Sequence, residues 1–148
     1  MRVSVYHNIA RDEQGRMISW FGYQPGHPLV HVIDFEVGVV PTDGPGIGTL
    51  TEEVWIIGNA NPQTLTGAHA TLARAYRARR LRSLLVGDVV VIGDGDDRVA
   101  LSLDKAGLSR VDHQALRIVT TRQHGTEPWP ADTPPIQAKE IPLSSACP

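Results

Sequence analysis

The run Gly87-Asp88-Val89-Val90-Val91-Ile92-Gly93-Asp94-Gly95-Asp96-Asp97-Arg98-Val99-Ala100-Leu101-Ser102-Leu103 reads as two strands joined by a turn. Val89 to Ile92 is a continuous apolar run of strand length, the pattern of a strand buried on both faces. Val99, Leu101 and Leu103 recur at period two, and the residues between the runs tolerate positive φ. A hairpin at the centre of a sheet follows. Asp104-Lys105-Ala106-Gly107 makes a further turn, Leu108 to Asp112 a short edge, and Ala115 to Thr121 one more β-prone segment.

Upstream of this hairpin the period changes to that of a helix. Between Thr66 and about Arg80, the residues Leu65, Ala68, Leu72, Ala75 and Tyr76 trace an apolar face, and Arg74, Arg77 and Arg80 form a basic stripe beside it. A shorter helix is expected earlier. Thr49 and Glu52 have capping-box spacing, Leu50, Val54 and Ile57 make its buried stripe, and Gly58-Asn59 with Pro62 beyond end it. Residues 41–48, dense in glycine and proline, read as a loop.

Nearer the N-terminus the period is two. Leu29, His31, Ile33, Phe35 and Val37 fall on one face of a strand, with Val30, Val32, Asp34 and Glu36 on the other. Val3, Val5 and His7 alternate with Ser4, Tyr6 and Asn8 to make the first strand, and Met17 to Tyr23 is expected to pair with it as a hairpin. The pattern predicts an α+β fold: a four- to six-stranded mixed or mainly antiparallel sheet with two helices, the longer packed on one face. One domain over residues 1–122 is expected. Residues 123–148 carry six prolines without sustained periodicity and read as an extended or disordered tail.

Composition narrows the chemistry. With 148 residues, 41% hydrophobic and 20% charged, one domain suffices, and a net charge of −2 offers no bulk attraction for a polyanion. Cys147 is the only cysteine, so neither an internal disulfide nor a cysteine-based zinc site can form. No run approaches a membrane span of about 18 apolar residues, and the first residues lack a signal-peptide core. A cytoplasmic protein with no membrane partner is expected.

Individual motifs carry little catalysis. Gly44, Gly46 and Gly48 precede a helix, but neither the dinucleotide nor the Walker spacing is present, and Pro45 removes an N–H from the loop. Asp94, Asp96 and Asp97 lack the bidentate glutamate of a calcium loop and suit a turn. None of the six histidines has two-ligand spacing. His7 and His31 are the weak metal candidates, since both fall on apolar strand faces and could meet if those strands pair, although Asp34 would then face away from His31. No nucleophile elbow or Cys-His pairing appears, so no catalytic residue and no cofactor are assigned. Arg74, Arg77, Arg80 and Arg82 are the nucleic-acid candidates, with a solvated helix face as the competing explanation.

Tyr76-Arg77-Ala78-Arg79, continuing through Arg82-Ser83-Leu84-Leu85-Val86-Gly87-Asp88-Val89-Val90, resembles the hallmark of small uncharacterised bacterial proteins related to the YodL-type domain. Val5-Tyr6-His7-Asn8 and Phe21 to Val30 are similar to that group as well. Leu108 stands after Gly107 where the group tends to have an aromatic residue, and His27 stands where an aspartate is usual. The resemblance implies an accessory domain of plasmids, phages or other mobile elements, with no catalytic residues to carry over. Together the observations point to a non-enzymatic protein-interaction domain, with nucleic-acid binding through the arginine helix as the alternative and a small metal-dependent hydrolase third. The exposed edges of a small sheet leave room for a homodimer.

Overall fold

The computed structural model describes residues 1–37 and 45–119. Six strands form one mixed sheet in the order β5-β4-β3-β1-β2-β6. They are β1 (Arg2–Asn8), β2 (Pro28–Glu36), β3 (Val89–Ile92), β4 (Val99–Asp104), β5 (Gly107–Val111) and β6 (Arg117–Ile118). All neighbours are antiparallel except β2 and β6, which run parallel. The helices are α1 (Pro45–Asn59) and α2 (Gly67–Ala78).

Both helices cover one face. Ile47, Leu50, Val54 and Ile57 of α1 and Leu72, Ala73 and Tyr76 of α2 pack with Val3, Val5, Ile33, Phe35, Val90, Ile92, Leu101 and Leu103. Opposite, Leu29, Val89, Val91 and Ala100 form a smaller cluster under Tyr6, Tyr23, Val111 and Leu116. Every residue of β3 is therefore buried, as a strand between two apolar layers must be.

Five expectations need correction. Met17 to Tyr23 does not pair with β1 as a strand: a lone bridge joins Arg11 to Met17, and Ser19–Phe21 is a 3₁₀ turn. The reason is occupancy, because β2 and β3 already bond both edges of β1. Helix α1 begins at Pro45, so the loop expected at residues 41–48 gives way to helix over 45–48, and residues 41–44 lie outside the described residues. Proline at a first helical position loses nothing, since that N–H has no intrahelical partner. Thr49 and Glu52 accordingly sit inside the helix rather than capping it, and α1, not the arginine helix, is the longer of the two.

The fifth correction concerns β2. Val5 pairs with Ile33 but Tyr6 pairs with His31, so Val32 is an extra residue, a bulge. A one-residue slip reverses the facing of everything beyond it. Ile33 and Phe35 therefore face the helices, whereas Leu29 belongs to the opposite cluster and His31 stacks edge-on against Tyr6 at 5.3 Å. The expected single face from Leu29 to Val37 is divided. The tail expected over 123–148 lies outside the described residues.

Candidate functional site

Three polar or apolar constellations stand out. The first is buried beneath the segment that links α2 to β3. Asp88, fully buried, accepts from Asn8 N (2.8 Å), Leu85 N (2.8 Å) and both terminal nitrogens of Arg82 (2.7 Å each). Asn8 is also saturated: its amide donates to Gly87 O and to His27 Nδ1 and accepts from Ala10 N. Gly87 has φ +86°, and a Cβ there would stand 2.7 Å from Ser19 O. The three stretches that carry the resemblance thus converge on one knot.

His7 extends the knot toward α2. Tyr76 Oη donates to Arg82 O at 2.8 Å, so its contact with His7 Nε2, also 2.8 Å, requires the imidazole to donate. Burial, aided by the Arg82 charge, pushes His7 down to about 3, which keeps the ring neutral. Burial and the Asp88 charge push the Tyr76 hydroxyl up. Burial likewise raises the Asp88 carboxyl, against the pull of the Arg82 guanidinium and the two N–H groups. Such a network fastens distant chain segments together.

The second constellation lies on the other face. Asp34 Oδ1 accepts from Ser4 Oγ at 2.6 Å and pairs with His31 Nε2 at 2.8 Å, the bulge having brought His31 and Asp34 to one side. Burial works to raise Asp34, and the bonds from His31 and Ser4 outweigh it, so the carboxyl lies below its ordinary range. Ser4 gives its hydroxyl to the carboxylate rather than to the imidazole. A nucleophile relay needs the histidine between the two. His7 and His31 are not brought together, since one meets α2 and the other meets Tyr6. Among the described residues no cluster of three or more His, Cys, Asp or Glu could hold a metal ion.

The arginine candidates are dispersed in role. Arg74 is exposed on α2, Arg77 lies with its guanidinium 5.8 Å from the centre of the Tyr76 ring, and Arg80 is exposed beyond the helix end with φ +56°. Arg82 turns inward to Asp88 and to Asn8 O. The basic stripe is therefore at most three residues long, with Arg82 committed to the fold.

The third constellation is apolar and escaped the sequence pattern. Thr51, Glu52 and Trp55 of α1 face Leu103, Asp104, Gly107 and Leu108 across an open groove of about 200 Å³. Trp55 is 38% exposed and Leu108 36%. Beyond Asp104, Phe21 is 75% exposed with Lys105 Nζ 5.4 Å from its ring centre, and Trp20 is 53% exposed. A signal existed: Trp55 and Ile56 fall outside the Leu50-Val54-Ile57 stripe, and adjacent Trp20 and Phe21 could not both face inward from a strand. Among the described residues no helix is long and apolar enough to cross a membrane. No family model, no curated protein and no solved structure matches the chain.

Proposed function

We propose that the chain is a non-enzymatic protein-interaction domain of the accessory type that mobile elements carry, and that it binds a partner through the groove between α1 and the β4–β5 turn. One observation carries this reading: Trp55 and Leu108, 38% and 36% exposed, stand in water on the walls of the groove. Single exposed apolar residues are ordinary, but a partly exposed tryptophan on the wall of a concavity is the usual kind of anchor for an interface. Covering about 100 Å² of such surface contributes roughly 2.5 kcal/mol. The buried constellation at Asp88 supports the same reading, since its carboxylate accepts four bonds from within the chain.

The test is site-specific photocrosslinking in the native host. A photoreactive phenylalanine analogue replacing Trp55 or Leu108 should trap a discrete polypeptide, while the same probe at Glu13, on the exposed turn after β1, should trap none. No adduct from either groove position would end the proposal.

A further inference from the structure

The groove opens beside β5, which is the outermost strand on that side of the sheet. Its main-chain geometry follows from the turn. Asp104 and Gly107 pair across a loop of only two residues, which is achieved solely by exchanging both main-chain bonds. The bonds to β4 then fall on Gly107, Ser109 and Val111, and Leu108 and Arg110 point their N–H and C=O groups away from the sheet. Among the described residues none of these groups has a main-chain partner. The strand has no proline, bulge or lysine to blunt it.

The side chains add a complementary pair. Leu108 and Arg110 lie opposite Leu103 and Leu101, so both stand on the helix-covered face. Glu52, beside Leu108 in the groove, is exposed, as is Arg110, and among the described residues neither side chain has a hydrogen bond or an ion pair. We infer that β5 pairs antiparallel with β5 of a second copy about a two-fold axis at Ser109, joining two six-stranded sheets and setting Arg110 of each copy against Glu52 of the other. In that register Leu108 of one copy is directly opposite Arg110 of its mate, and each such pair exchanges two main-chain bonds. The guanidinium then arrives at the groove that Leu108 lines, where the carboxylate of Glu52 waits without a partner. An isologous interface requires this reciprocity, and one acidic and one basic residue on the same face supply it from a single sequence.

This inference rests on the interaction reading only in taking this end of the sheet as a protein-binding surface. Sedimentation velocity of the full chain at about 10 to 100 µM should give twice the 16.1 kDa monomer mass. Glu52→Arg or Arg110→Glu alone should weaken dimerisation by at least about tenfold, and the two together should restore it, because the exchanged charges still meet across the axis. Unchanged far-ultraviolet dichroism and a retained cooperative melting transition verify that each variant folds. A 16.1 kDa species at every concentration overturns the inference, as does a dimer indifferent to both reversals. A monomer that still crosslinks a foreign protein through position 55 ends the dimer and keeps the interaction reading. A charge-dependent dimer without a foreign adduct does the reverse.

Discussion

At Asp88 four donors converge on two buried oxygens, and the arrangement is only as stable as its least replaceable member. Arg82→Ala would leave the carboxylate buried with two main-chain donors, at a cost of about 3 to 5 kcal/mol measured by denaturant unfolding at pH 7. That cost should shrink at pH 5. Burial raises the Asp88 carboxyl in the folded state, so without Arg82 the native protein binds a proton that the unfolded chain does not, and acid then favours folding. His7 has the opposite sign. Its folded value of about 3 lies below the ordinary 6.5, the unfolded chain holds the extra proton between them, and stability falls as pH drops from 6.5 toward 3. The slope is at most about 1.4 kcal/mol per pH unit, and His7→Gln should flatten that part of the acid limb in unfolding curves recorded from pH 7 to pH 4.

Among the elements, α1 offers a paired test, because two of its glycines sit in different surroundings. A Cβ on Gly58 would stand 2.7 Å from Leu84 Cδ1 and Cγ, whereas one on Gly48 would meet nothing within 4 Å. Helix propensity favours alanine at both by up to about 1 kcal/mol. Gly48→Ala should therefore raise the melting temperature, and Gly58→Ala should lower it, since overpacking a closed contact costs about 1 to 3 kcal/mol. In the sheet, Val90 and Val91 are buried on opposite faces, so aspartate at either position should abolish the cooperative melting transition. An unpaired buried charge costs several kcal/mol, comparable with a typical total of about 5 to 15.

For the whole molecule, the two functional classes separate by salt. With Arg82 held inside and a net charge of −2, the protein-interaction reading expects no anisotropy change with single-stranded or duplex DNA even at low salt. Should binding appear and weaken steeply with salt, Arg74, Arg77 and Arg80 replaced together by Gln would flatten the slope by about two to three units if they make the contacts. That result would move the functional surface from the β5 end of the sheet to α2.

What periodicity encodes was legible from the chain alone. The buried run Val89–Ile92, the alternation of Val99, Leu101 and Leu103, and the stripe Leu72-Tyr76 each specify an element through which face must leave water, and all three stand where that pattern places them. Long-range pairing decided the remainder. Whether Met17 to Tyr23 becomes a strand depends on whether an edge of β1 is free, and it is not. The single extra residue at Val32 carries His31 to the side of Asp34 and away from His7, which a strict two-residue period cannot express. Likewise Asn8, His27, Arg82 and Asp88 are separated by up to 80 residues and announce themselves by no local spacing. A hydrogen bond between distant segments exists only once the core has brought them together, and so do the groove at Trp55 and the open edge of β5.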